Sequence, residues 1–250
     1  MKHEEYERMY RFEDTYWWFV SRRHLIVSLI ETHYPRKSDL RILDIGCGTG
    51  AMLEDLSDFG QVTGADFALE ALRFCRERNP EQTLARADAR RLPFATDSFD
   101  IVTAMDVVEH IDNDKAAMSE ILRVLKPGGR VFVTVPAYQS LWSEHDEALH
   151  HYRRYTSGSL KDVFQRVGLN VEKLSYAVTS LFPLAWTYRK LQNLLPKRNK
   201  DGEKKANLIE FSAPVNKALI SILRKEAELV QRAPLPFGLT VACVARKGSD

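Results

Sequence analysis

Residues 40–50 read Leu40-Arg41-Ile42-Leu43-Asp44-Ile45-Gly46-Cys47-Gly48-Thr49-Gly50, an apolar run that breaks on alternate glycines and passes into a helical pattern through Leu56. Glycines at this spacing let the backbone turn sharply and remove the Cβ atoms that would keep a ligand at a distance. A strand, a glycine turn and a helix in that order predict a ligand site at the carboxyl edge of a sheet.

The rest of the chain repeats the alternation. Strands are predicted over 61–66, 82–87, 99–104 and 130–135 and helices over 68–78 and 115–125, with Asn79-Pro80 as a helix stop and Lys126-Pro127-Gly128-Gly129 as a turn. In the helix over 115–125, Ala116, Ile121, Leu122 and Leu125 are expected to point inward. Because the strands are apolar runs rather than period-two patterns, the fold class is α/β, a Rossmann-like and mostly parallel sheet with helices on both faces. Plausible sixth and seventh strands over 170–177 and 239–245 bracket a segment of different character. It reads as a helix over 179–195 rich in Leu, Phe and Trp, a basic polar stretch over 196–205, and a second helix over 214–232 that starts on proline. The expected organisation is therefore a single domain over 1–250: an N-terminal helical lid over 1–38, a core over 39–178 and 237–247, and a helical insertion over 179–236.

Asp66 ends the second predicted strand, where a carboxylate can accept hydrogen bonds from a ribose diol, so the glycine turn and Asp66 together point to a nucleoside ligand. A charge balance of 36 basic against 34 acidic side chains, net +2, gives no reason to expect nucleic acid as a partner. Cys47, Cys75 and Cys243 form no Cys-x-x-Cys pair and read as reduced thiols. The first residues alternate charges and no apolar run is long enough to span a bilayer, so a cytoplasmic protein is expected. Peripheral membrane contact through 181–205 is a further expectation, since apolar Leu181 to Trp186 adjoins the basic run Lys197 to Lys205.

In these motifs the sequence resembles the class I S-adenosylmethionine-dependent methyltransferases, especially the small-molecule branch called type 11. The resemblance is carried by Leu43 to Gly50, by Asp66, by Asp88 within Ala87-Asp88-Ala89-Arg90-Arg91-Leu92-Pro93-Phe94, by Met105-Asp106-Val107-Val108-Glu109-His110, and by Leu125 to Gly129. It implies a sheet whose last strand runs antiparallel, a helical insertion near the substrate opening, and S-adenosylmethionine as cofactor. It also implies cofactor contacts at Asp44, Gly46, Cys47, Gly48, Gly50, Asp66, Phe67, Asp88, Ala89, Met105 and Asp106. A small-molecule acceptor, or one linked to a lipid or a glycan, is expected, methylated at oxygen.

The segment from Trp142 to Tyr155 is dense in titratable groups. His145, His150, His151 and Tyr155 are the candidate general bases, with His110 in reserve. No metal is expected, because His145, Asp146, His150 and His151 match no standard ligand spacing. Cys47 has no neighbouring base in sequence to activate it as a nucleophile. Trp17 and Trp18 read either as core aromatics or as a wall over the substrate. Two other functions compete: a nicotinamide-dependent oxidoreductase, which would carry Gly-x-Gly-x-x-Gly instead, and a regulatory protein that binds the cofactor without transfer.

Overall fold

The computed structural model describes residues 3–194 and 211–249. Among these residues β1 (Leu40–Ile45), β2 (Gly60–Asp66), β3 (Thr83–Arg86), β4 (Phe99–Met105), β5 (Leu125–Pro136), β6 (Asn170–Ala177) and β7 (Thr240–Arg246) form one sheet in the order β3-β2-β1-β4-β5-β7-β6. The pairs among β1 to β5 are parallel, and β7 lies antiparallel to both β5 and β6. This is the Rossmann-like sheet expected from the sequence, with the antiparallel last strand that the resemblance implied.

Successive side chains on a strand face opposite sides, and both sides are covered here. Ile42, Ile101, Phe132 and Val244 pack on one face against α2 (Trp17–Glu31), α3 (Ala51–Ser57), α4 (Leu69–Arg78) and α9 (Ala213–Arg232). Leu43, Val102, Val131 and Val133 pack on the other against α5 (Asp114–Val124) and α7 (Ser157–Arg166). Burial on both faces is why the central strands read as apolar runs.

The remaining helices are α1 (His3–Phe12), which packs against α4, the short α6 (Glu144–Ala148), and α8 (Phe182–Leu194), which lies with α9 between β6 and β7 in the chain. The expected basic stretch over 196–205 lies outside the described residues.

Three local readings change. In α5 the inward side chains are Ala117, Met118, Ile121 and Val124, while Ala116 and Leu122 are only partly buried, because the helix meets the sheet about one residue out of the expected phase. β5 begins at Leu125, so the Lys126 to Gly129 stretch enters the strand, with a register shift opposite Phe99 and Ile101 absorbing the irregularity. Between β5 and β6 the chain forms α6 and α7. Both start on a capping box: Ser143 exchanges bonds with Asp146, and Thr156 exchanges bonds with Ser159.

Candidate active site

The strand order changes direction between β1 and β4, and there, at the carboxyl ends of β1, β2 and β4, opens a cleft of about 1470 Å³. The loop after β1 forms its floor. Gly46 and Gly48 take φ of 68° and 55°, and a Cβ would collide with Val107 Cγ2 at the first and with Met9 Cε at the second. Cys47 lines the cleft through this loop; its thiol is pushed well above the ordinary value by a hydrogen bond with Cys75 and by burial, which keeps it out of nucleophilic chemistry. Gly50 departs from expectation. It precedes α3 and backs onto Asn79 and Cys75, not onto the cleft, so it shapes the turn without bordering the ligand space.

The acids expected at the cofactor all border the cleft. Asp44 is 1% exposed and accepts a 2.6 Å hydrogen bond from Thr103 Oγ1 on Oδ1, while Oδ2 has no partner among the described residues. Burial pushes this carboxyl up to about 7. Asp66 accepts from the backbone N–H of Ala68 at 2.8 Å and of Gly48 at 3.0 Å, with the Phe67 N–H also acting on it, so it ties the glycine loop to the start of α4 while its oxygens keep spare acceptor capacity. Beside it Phe67 is 66% exposed, with the Arg86 guanidinium 5.9 Å from its ring centroid. Asp88 is chelated by Arg90 at 2.7–3.2 Å, which holds its carboxyl below the usual range, and Ala89, Met105 and Asp106 complete this wall.

The N-terminal segment covers the loop. Tyr6, Met9, Glu13, Trp17 and Trp18 line the cleft, the two tryptophans packed edge to face at 5.5 Å between centroids. Glu13 is buried, accepts a hydrogen bond from Thr49 Oγ1 and lies 3.6 Å from Arg78; burial outweighs these contacts and pushes its carboxyl from 4.5 to about 7. A raised folded-state value has a defined sign. Below pH 4.5 the folded and unfolded chains both hold the proton, and as pH rises to about 7 the unfolded chain loses it first, so stability falls over that window. Urea denaturation of Glu13→Gln should show a smaller loss of stability between pH 4.5 and 7 than the unmodified chain. Equal pH slopes for the two proteins would remove Glu13 as the cause.

At the other end of the cleft the segments after β4 and β5 meet. Arg22 of α2 is buried there; it donates to Thr134 Oγ1 at 2.8 Å, to Thr240 Oγ1 at 2.9 Å and to Asp106, and its guanidinium sits 4.8 Å from the Trp18 ring. His151 Nδ1 lies 2.9 Å from Asp146 Oδ1, and Arg154 donates to both oxygens of Asp146 at 2.7 and 3.0 Å. Burial works upward on Asp146, but the bonds from His151 and Arg154 prevail and hold its carboxyl well below the usual range. The rings of His110 and His151 meet edge to face at 4.5 Å. Burial and the neighbouring His151 bring His110 down to about 4, so it is neutral at pH 7. Glu109 lies beneath them, fully buried, its carboxyl raised by burial and by the charge of Asp106. His145 and His150 also line the cleft. Tyr155 does not: it is 2% exposed in the core, and its hydroxyl donates to Asp114 Oδ2 at 2.9 Å, so the expected base role has no access to a ligand there.

Residues 43–133, which carry the glycine loop, Asp66, Asp88 and the Asp106 to His110 turn, match the family profile described as the methyltransferase domain. That match covers 91 of the chain's 250 residues. A demethylmenaquinone methyltransferase of Renibacterium salmoninarum is 40% identical over 94 residues, covering 37% of this chain and 40% of that protein. The chain spans about half the length of the curated relatives it matches first, between 40% and 58%. Among solved structures, a chain of the complex between the Haloferax volcanii Trm112 methyltransferase activator and a methyltransferase aligns with a TM-score of 0.63 at 19% identity, covering 98% of this chain and 94% of that one. Phosphoethanolamine N-methyltransferase 2 of Haemonchus contortus, in complex with S-adenosyl-L-methionine, aligns at 0.58 and 24%, covering 89% and 52%.

Around the methyltransferase domain the structure adds residues that sequence reasoning did not single out. Glu13 sits in a mixed-charge turn after α1 and Arg22 in a helix with no clear apolar stripe, where nothing in the local pattern separates them from surface charges. Arg154 is one of an Arg153-Arg154 pair beside a dense acidic and histidine run, a pattern that does signal a charge network.

Proposed function

We propose that the chain transfers the methyl group of S-adenosylmethionine to a weakly acidic hydroxyl on a small or partly apolar acceptor, at oxygen, releasing S-adenosylhomocysteine. The observation that carries this reading is that one cleft joins the glycine loop, Asp66 and Asp88 to a wall of His110, His145, His150 and His151.

The residues at the first end fit the cofactor. Asp66 has lone pairs free for ribose hydroxyls, Phe67 offers an exposed ring beside it, and Asp88 and Ala89 border the space for a base. The open backbone at Gly46, Cys47 and Gly48 suits the amino-acid portion, and the unpartnered Oδ2 of Asp44 suits its ammonium group. When bound, S-adenosylmethionine supplies an electrophilic methyl group on a positively charged sulfur. The chain's own work is alignment of the acceptor and removal of its proton. Met105 and Asp106 stand between the two ends, with Arg22 fixing Asp106, and the histidine wall faces the acceptor.

An apolar acceptor, free or lipid-linked, is supported by α8. Ala185 and Tyr188 border the cleft, and Leu184 and Trp186 are exposed nearby in sequence, a surface suited to an acyl chain or to the peripheral membrane contact expected for 181–205. No helix among the described residues is long and apolar enough to cross a membrane. The Renibacterium relative is named for demethylmenaquinone, which supports an apolar small-molecule acceptor.

Methyl-labelled S-adenosylmethionine with phenolic and enolic acceptors tests the reading. S-Adenosylhomocysteine should appear with a product whose labelled carbon has the chemical shift of a methoxy group. Label found on carbon or nitrogen would overturn the oxygen assignment, and cofactor that binds but is never consumed across the panel would favour the regulatory binding protein.

A further inference from the structure

Glu109 and His110 belong to the single 3-10 turn after β4, and His151 follows α6 more than forty residues later. The backbone clips the two segments together, because Tyr152 N–H donates to the Glu109 carbonyl at 2.8 Å, while His151 N–H donates back to the Asp146 carbonyl of α6 at 2.9 Å. One ligand atom from each of Glu109, His110 and His151 consequently lies within 4.8 Å of the others. Glu109 is 1% exposed, and neither carboxylate oxygen has a partner from another residue among those described. A buried carboxylate without a donor is unfavourable, and a ring nitrogen from each of two imidazoles lies within 4.8 Å of it. A cation held between the three side chains would offset the burial of the ionised carboxylate.

We propose that Glu109, His110 and His151 bind one divalent transition-metal ion at the acceptor end of the cleft. Two imidazoles and a carboxylate suit zinc, manganese, cobalt or iron in the divalent state, and disfavour the all-oxygen ions. Such ions hold their ligands at about 2.0–2.2 Å, so the three atoms, now within 4.8 Å of one another, would close in around the ion. Asp146 is the outer partner: its bond to His151 Nδ1 leaves Nε2 for the ion, and Arg154 and Ser143 fix Asp146 in turn. All three ligands border the cleft, which leaves coordination positions open on the ligand side. The ion's role, unlike its binding, rests on the methyl-transfer reading. An acceptor hydroxyl in an open position would lose its proton to solvent more readily, and His151 would serve as a ligand and not as a base.

This replaces the sequence expectation of no metal, which weighed His145, Asp146, His150 and His151. The structure draws two ligands from a different motif and makes Asp146 an orienting group.

The test is titration of the chelator-treated chain with Co2+ and then Zn2+. A single equivalent of Co2+ should bind with ligand-field absorption bands that Zn2+ abolishes, and the imidazole NMR signals of His110 and His151 should shift while those of His3, His24 and His33 stay. Glu109→Gln and His151→Ala should weaken binding at least tenfold while retaining affinity for S-adenosylhomocysteine, and Asp146→Asn should weaken it roughly 10–100-fold. Should a variant fail to fold, the histidine signals of the unmodified chain decide. Absence of saturable Co2+ binding, or shifts confined to other histidines, would overturn the site. Metal-free chain that still methylates an acceptor would leave the proposed function standing without the ion's role, whereas metal binding with no acceptor ever methylated would leave the site standing alone.

Discussion

Asp66→Ala should lower affinity for S-adenosylhomocysteine by about a hundredfold or more in titration calorimetry. The side chain does two things at once. Its oxygens hold the Gly48 and Ala68 backbone N–H groups, and their remaining lone pairs face the cleft, where the proposed ligand presents a ribose. Hydrogen bonds to a charged acceptor contribute about 1.5–3 kcal/mol each, so losing a single ribose contact accounts for roughly one to two decades of affinity, and slackening of the glycine loop adds to it. Asp66→Asn keeps one carbonyl acceptor and should fall between the two. Affinity equal to that of the unmodified chain in Asp66→Ala would remove this residue from the site.

Arg22→Ala should cost about 3 kcal/mol of folding stability in urea denaturation. Arg22 joins α2 to three strands, through Asp106 after β4, Thr134 on β5 and Thr240 on β7. Truncation leaves two buried hydroxyls without that donor and Asp106 without its ion pair, close to the acid Glu109. Breaking a buried pair from one side typically costs about 3–5 kcal/mol, and the partial exposure of Asp106 places this case at the low end. Arg22→Lys retains the charge but not the fork that reaches Asp106 and the two threonines, so it should recover only part of the loss. A stability change under about 0.5 kcal/mol, the range for ordinary surface substitutions, would show that the network is not a structural tie.

Much of the fold was legible because the central strands are covered on both faces. Ile42 to Ile45 has to be continuous apolar chain with one exception, Asp44, and that exception marks the site. The helices α6 and α7 were harder to read. α6 is five residues long and made almost entirely of charged groups, so it carries no apolar stripe; α7 buries only Leu160 and Phe164 and is signalled mainly by the Thr156 and Ser159 capping box. The proposed nucleoside end of the cleft draws on local sequence for a related reason. Asp66, Asp88 and the glycines lie in short local motifs at strand ends, where spacing in sequence translates directly into position at the sheet edge. The acceptor end is assembled from distant segments. Tyr155 follows His151 by four residues yet enters the core, while Glu109 and His110 come to meet His151 from across the sheet edge. Arg22 arrives from α2 and Glu13 from the turn between α1 and α2, both of which precede the sheet altogether.

The central claim is that the cleft above β1, β2 and β4 holds S-adenosylmethionine. A crystal structure of the chain grown with S-adenosylhomocysteine tests it most directly. The account predicts the ribose hydroxyls within hydrogen-bonding distance of Asp66, the amino-acid portion against the Gly46 to Gly48 backbone, and the sulfur directed toward the Glu109, His110 and His151 wall. Density for the ligand elsewhere, or a ribose held by residues other than Asp66, would contradict it.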